Sequence, residues 1–174
     1  MFPDPVKILQ NFGLADSMIV ADLGAGSGFY SIHAGKMVPN GKVYAIDIQK
    51  DFLTTIKINS ESDNLNNIET IWGDIEKIGG TNIAENIVDV VILSNVLFMA
   101  QNKKKVIKEA HRILKSGGRV LFIDWSETPS PFSPKSEMLF LKPDAHKHFT
   151  EELFMLDKEI SAGEHHYGMI FRKK

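Results

Sequence analysis

The chain has 174 residues, 20 Lys and Arg against 22 Asp and Glu, a formal net charge of -2 and no cysteine. Its length supports one domain with a core of its own. The missing thiols exclude disulfides, thiolate zinc sites and cysteine nucleophiles, and the near-neutral charge gives no bulk electrostatic reason to bind nucleic acid. The longest apolar runs, such as 90–93 and 96–100, fall far short of the roughly 18 residues that a membrane span needs. The opening Met1-Phe2-Pro3-Asp4-Pro5 has no basic lead into an apolar stretch, so a cytoplasmic protein without a signal peptide is expected.

Asp4 followed by Pro5 reads as the start of a short helix, with Val6, Leu9 and Phe12 near one face and Gly13 as its stop. Residues 18–21 are a short apolar run between turn formers, the pattern of a buried strand. A helix is predicted over 29–38, ended by Pro39-Asn40-Gly41, then a strand at 42–46 and a helix at 51–60. Further strands are expected at 68–72 and 88–93. Residues 103–115 carry the clearest amphipathic stripe, formed by Val106, Ile107, Ala110, Ile113 and Leu114. Gly117-Gly118 is the expected close of that helix, through a positive φ at its C-terminus. A fifth strand follows at 119–123. Strands separated by helical segments pair in parallel through crossovers, so an α/β sheet with helices on both faces is predicted. Beyond it, the proline-rich 128–134 reads as a loop and a short helical piece is expected at 151–156. Strand-like runs at 157–161 and 167–172 are close enough to form an antiparallel hairpin across 162–166.

The most informative stretch is Asp22-Leu23-Gly24-Ala25-Gly26-Ser27-Gly28, at a strand-to-helix junction. Open α/β sheets bind their ligands at such junctions. Alternate glycines let the backbone turn sharply and approach a ligand closely, and the following helix offers unpaired N–H groups. The spacing discriminates between ligands. A dinucleotide fingerprint, G-x-G-x-x-G/A, would need a small residue where Phe29 stands, and no Gly-Lys-Ser/Thr follows as in a P-loop. Asp47 ends the next strand about 20 residues beyond the last loop glycine, where a carboxylate can accept hydrogen bonds from ribose hydroxyls. Asp22 suits a ligand with a positive amino group near the loop, whereas a phosphate there would be repelled.

With these features the chain resembles the class I S-adenosylmethionine-dependent methyltransferases over most of its length. The Asp22-to-Gly28 loop resembles the first motif of that family, and Asp47 its ribose-binding acid. Trp72-Gly73-Asp74-Ile75 resembles the third motif, in which an acid reads the adenine amino group between apolar side chains. Asp89-Val90-Val91-Ile92-Leu93-Ser94-Asn95 resembles the fourth, and Leu114-Lys115-Ser116-Gly117-Gly118-Arg119-Val120 the turn into the fifth strand. The region of Leu97 and the ending at 163–173 are similar to small relatives of the ubiquinone/menaquinone-biosynthesis methyltransferases. The resemblance implies a Rossmann-like, seven-stranded, mostly parallel sheet with an antiparallel C-terminal hairpin. It implies S-adenosylmethionine as cofactor, contacted by Asp22, Gly24, Ala25, Gly26, Ser27, Gly28, Tyr30, Asp47, Ile48, Gly73, Asp74, Ile75, Ser94 and Asn95. The expected organisation is one domain over 1–174. A helix at 1–16 leads into a cofactor-binding core at 17–125, and 126–174 is an acceptor-side segment with the hairpin.

Methyl transfer is an in-line displacement from an activated leaving group, so a base is needed only where the acceptor must lose a proton. His146 and His148, after the fifth strand, and Asp124, at its end, are the candidates for such a role. His165 and His166 fall in the hairpin turn without further ligands beside them, so no metal is predicted. The Asn/Asp-Pro-Pro-Tyr type of motif of amine methyltransferases is absent, and the thiols on which arsenite methyltransferases rely are missing. Phe2, Phe12, Phe29, Tyr30, Phe98, Met99, Phe132, Met138 and Phe140 make a small apolar or aromatic acceptor, methylated at O or C, the expected substrate. A nicotinamide-dependent oxidoreductase is disfavoured by the glycine spacing and the lack of Tyr-x-x-x-Lys. An RNA methyltransferase is disfavoured by the charge, and a non-catalytic adenosyl-binding module remains as an alternative. In the family a full helix ending in a Gly-aromatic turn follows the fifth strand. Here 149–159 runs almost directly into the hairpin, so that helix is expected to be shortened.

Overall fold

The structure, a computed structural model, describes residues 4–128 and 131–174. Phe2 therefore lies outside the described residues. Helix α1 (Pro5–Phe12) starts where the Asp4 carboxylate accepts the N–H groups of Val6 and Lys7 at 3.0 and 3.3 Å. It stops at Gly13, whose φ of 78° few other residues adopt cheaply. Then come β1 (Ile19–Leu23), α2 (Phe29–Met37), β2 (Lys42–Asp47), α3 (Lys50–Ser62), β3 (Ile68–Trp72), β4 (Val88–Ser94) and α4 (Lys103–Ile113). The chain ends with β5 (Leu114–Trp125), α5 (Lys142–Glu151), β6 (Phe154–Ser161) and β7 (His166–Lys173).

The strands form one 7-stranded sheet in the order β3-β2-β1-β4-β5-β7-β6. The pairings among the first five strands are parallel, and β7 runs antiparallel to both β5 and β6. After β1 the chain builds outward through β2 and β3, then returns to place β4 on the other side of β1. This reversal opens a crevice at the carboxyl ends of β1 and β4. Alternate residues of the central strands point to opposite faces. Val20, Val43, Val90 and Leu121 pack with Leu9 of α1 and Ala34 of α2, while Ala21, Val91 and Phe122 pack with Ile107 of α4 and Phe149 of α5.

Two local expectations are corrected. Helix α4 ends at Ile113 and is not closed by Gly117-Gly118, because Leu114 is already extended and pairs with Val88. Pairing resumes at Arg119 with Val90, and Gly117 uses its φ of 72° in the intervening loop. Asp89 fastens that corner, accepting the Ile19 N–H at 2.8 Å and the Lys115 ammonium at 2.7 Å. The second correction lies before the hairpin. The helix expected at 151–156 is instead the ten-residue α5, which lies earlier, over Lys142–Glu151, and is opened by Pro143 in its first turn. Ala145 and Phe149, one turn apart, are its buried contacts. Phe154 is already the first residue of β6, drawn into a cluster with Phe149 and Phe171, whose rings stack at 4.1 Å and 9°.

Candidate active site

The crevice is a cavity of about 760 Å³ lined by the turns after β1, β2, β3 and β4, within the usual size of a small-ligand site. The turn after β1 is shaped by three glycines at positive φ, which serve two different purposes. A Cβ on Gly24 would come within 2.7 Å of Val96, and one on Gly28 within 2.7 Å of Ile56, so both are close-packing positions. A Cβ on Gly26 would meet nothing within 4 Å, so that backbone faces open space. The turn is tied to β2. Gly24 and Ala25 donate to the Ile46 carbonyl, both at 2.9 Å, and the Gly26 N–H donates to Asp47 Oδ2 at 2.9 Å.

Asp47 also accepts the Gln49 N–H on Oδ1 at 2.8 Å. A carboxylate has about four acceptor positions, so lone pairs remain for ligand hydroxyls. Asp22 is buried and accepts the Ser31 hydroxyl at 2.6 Å. Burial pushes its carboxyl up to about 6; the Ser31 hydrogen bonds pull it down and the Asp47 charge adds to the rise. Tyr30 faces the cavity with a buried hydroxyl that has no protein partner, and burial raises it above the ordinary phenol value. Asn95 has φ 56°, donates its N–H to Ile123 at 2.9 Å, and keeps Oδ1 buried without a partner. On the far wall Gly73 sits where any Cβ would strike the Gly80 carbonyl oxygen. Asp74 accepts the Glu76 N–H at 3.0 Å and approaches Lys77 at 3.4 Å.

Asp22, Gly24, Ala25, Gly26, Ser27, Tyr30, Asp47, Ile48, Gly73, Asp74, Ile75, Ser94 and Asn95 all line this cavity. Gly28 does not; it is the N-cap of α2, packed against Ile56. Sequence reasoning missed Gln49, Phe52, Glu76, Val96 and Ala100 as lining residues. Phe52 carries a usable signal, since it follows an acid-ended strand in the first turn of the next helix, whereas Val96 and Ala100 read only as core. His146 and His148 stand on α5 and not in a loop. His146 is exposed, and His148 lies 2.8 Å from the Asp144 carbonyl with its ring edge-on to Phe140. Neither lines the cavity. Asp124 is fully buried behind the wall, where it accepts the N–H groups of Phe98 at 3.1 Å and Trp125 at 2.9 Å. His166 begins β7 instead of lying in the turn, and its buried ring lies 4.2 Å from that of Trp125, the two planes tilted by 34°.

Residues 14–173 match a family model described as a methyltransferase domain. An arsenite methyltransferase of Halobacterium salinarum is 32% identical over 126 residues, covering 72% of this chain and 31% of that protein. A demethylmenaquinone methyltransferase of Lactococcus lactis is 27% identical over 137 residues, covering 78% of this chain and 53% of that protein. The chain thus spans about a third to a half of the length of these curated relatives. Among solved structures, a SAM-dependent methyltransferase from Aquifex aeolicus superposes with a TM-score of 0.89 at 26% identity, covering 98% of this chain and 90% of that one. The strand order, the acid-and-glycine crevice and a family match over nearly the whole length agree, and the chain belongs to the methyltransferase-domain family with the class I S-adenosylmethionine-dependent fold.

Proposed function

We propose that this chain binds S-adenosylmethionine in the β1–β4 crevice and transfers its methyl group to a small apolar or aromatic acceptor, at oxygen or carbon. The observation that carries this reading is the placement of Asp22 and Asp47 on either side of the open Gly26 turn. Two carboxylates there repel a pyrophosphate and attract a cationic amino acid. The orphaned Tyr30 hydroxyl and Asn95 carbonyl are polar groups that a ligand with donors and acceptors would satisfy. The residues present therefore fit S-adenosylmethionine. Asp22 and the Gly24-to-Ser27 turn would hold its amino acid end, Asp47 its ribose hydroxyls, and Asp74 with Ile75 its adenine.

The cofactor supplies a methyl group on a cationic sulfur whose thioether leaves without further activation. The chain's own part is to orient and to exclude water. Phe29, Ile48 and Met99 do the second, standing 50–59% exposed around the opening with Phe52 lining the cavity beneath. This apolar rim supports an apolar acceptor. Arsenic(III), the acceptor that the name of the Halobacterium relative implies, is a soft centre held by thiolates, and this sequence has no cysteine.

Calorimetric titration with S-adenosylmethionine, S-adenosylhomocysteine and NAD tests the reading. Saturable binding of the adenosyl pair alone is expected, weakened about 10- to 100-fold by Asp47→Ala through loss of charge-assisted hydrogen bonds. Tighter binding of NAD, or unchanged affinity in Asp47→Ala, would reject it.

A further inference from the structure

Where β4 ends at Ser94 the chain leaves the sheet, and residues 95–102 cross to the start of α4. Asn95, Val96, Met99 and Ala100 of this segment line the cavity. The segment has one fully buried apolar anchor, Leu97. Three of its N–H groups are met by carboxylates from two other elements. The Phe98 N–H donates to Asp124 Oδ2, on β5, at 3.1 Å. The Gln101 and Asn102 N–H groups donate to the Glu76 carboxylate, in the turn after β3, at 3.3 and 2.6 Å. Asn102 is also the N-cap of α4, accepting the Lys105 N–H at 3.1 Å. One wall of the cavity is thus tied to two carboxylates, besides the Asn95 N–H to Ile123 and the Lys103 ammonium to the Ala100 carbonyl, each at 2.9 Å.

We propose that residues 95–102 form a suspended wall whose position is set by Asp124 behind it and Glu76 beside it, making Asp124 a positioning residue for S-adenosylmethionine. Asp124 lines no part of the cavity and acts through the Phe98 amide, while Val96 and Met99 carry its effect to the ligand. The proposal rests on the crevice being the cofactor site.

Keeping a carboxylate in this position works against stability. Burial pushes Asp124 up to about 7, with the Trp125 and Phe98 N–H groups and the Lys103 charge pulling it down. The titratable groups facing it are Lys103 of α4 and Tyr167 of β7, whose hydroxyl donates to the Phe140 carbonyl; Asp144 of α5 bears on the same tyrosine. A folded-state value raised from 3.8 to about 7 means that stability is fully present below the unfolded value and is lost as pH rises through 7. The ionised carboxylate has no proton to compete with the Phe98 amide, so it grips the wall best in the range where it costs most. Function and stability pull in opposite directions at this residue.

Asp124→Asn, which keeps the shape and removes the charge, separates them. Titration of the variant with S-adenosylmethionine between pH 6.5 and 8 is expected to give affinity about tenfold weaker at pH 8, with a shallower pH dependence than the wild type. The wild-type affinity is expected to fall as pH drops through 7, and in both proteins a further fall is expected below that as Asp22, raised to about 6, is protonated. Thermal denaturation at pH 8 is expected to show the variant no less stable than the wild type. Amide exchange should quicken at Phe98 and Asn102 while β1 and β4 stay protected. Unchanged affinity would overturn the proposal, as would an affinity loss matched by general loss of stability and of protection in β1. Should Asp124→Asn fail to fold, amide exchange in Glu76→Gln serves instead: quickening at Gln101 and Asn102 that spreads to Phe98 is expected, and exchange confined to Asn102 overturns it. Failure of the site reading is distinguishable, because Asp47→Ala would then also leave affinity untouched.

Discussion

Around β1, β2 and β3 the backbone bends through Gly24, Gly26 and Gly28, all at positive φ, and its amides are met by Asp47 and by the Ile46 carbonyl. Around β5, β6 and β7 the space is instead filled by rings. Phe122 lies 5.3 Å from Phe149 and 5.8 Å from Tyr167, and Phe149 stacks on Phe171. The first region bends glycine backbone and two carboxylates around open space; the second is filled by packed rings, with the buried Asp124 and the unpartnered His166 ring as its polar exceptions. A ligand site needs unsatisfied groups and open space, both of which weaken a fold, and the aromatic half supplies compensating burial.

If that division is real, mutations should separate by region. The largest effect is expected for Phe149→Ala, which empties the centre of the ring cluster. A loss of about 3–5 kcal/mol is expected from urea denaturation, with the affinity of the remaining folded protein for S-adenosylmethionine unchanged. A large drop in affinity at matched folded fraction would show that the aromatic half shapes the cavity directly.

The glycine turn allows a finer division within one region. Gly28→Ala brings a methyl group within 2.7 Å of Ile56 at φ 89° and is expected to cost about 1–3 kcal/mol, with a small change in affinity. Gly26→Ala places its methyl group in open space at φ 53°, costs about 1 kcal/mol, and should weaken S-adenosylmethionine binding more than Gly28→Ala does. Denaturation and titration of both variants check the crossing of the two effects. Parallel losses in both would remove the distinction between a packing glycine and a ligand-facing one.

These glycines also mark how far sequence carries. The alternation of strands and helices, and the acid-glycine turn itself, are local patterns, and the structure places them where periodicity and turn chemistry put them. That Gly28 packs while Gly26 faces open space depends on Ile56 of α3, which no local pattern reveals. The end of α4 is decided by Leu114 pairing with Val88, a contact between distant residues that overrides the glycine pair as a stop. Helix α5 was hidden for a related reason. Its buried stripe is only Ala145 and Phe149, and the intervening His146, Lys147 and His148 read as a polar loop until the sheet supplies a surface to pack on. Asp124 was visible as an acid at a strand end, but its reach to the Phe98 amide was not.

The smallest effect is expected at the turn joining α5 to β6, where the family resemblance implies a glycine before an aromatic residue and this chain has Leu153 before Phe154. Leu153 holds φ 63°, is 59% exposed, and passes the chain into β6 with its carbonyl accepting the Lys174 N–H at 3.1 Å. The left-handed conformation costs a residue with a Cβ about 1–2 kcal/mol, while glycine loses an extra ~0.5–1 kcal/mol of chain entropy on folding. With the side chain largely in solvent, Leu153→Gly should therefore stabilise the protein by about 0.5–1 kcal/mol. That corresponds to a rise of about 1–4 °C in Tm for a domain of this size, with cofactor affinity unchanged. A fall in Tm would mean that the leucine packs on the hairpin enough to outweigh its backbone strain, so that the aromatic half depends on apolar contact even at its exposed corner.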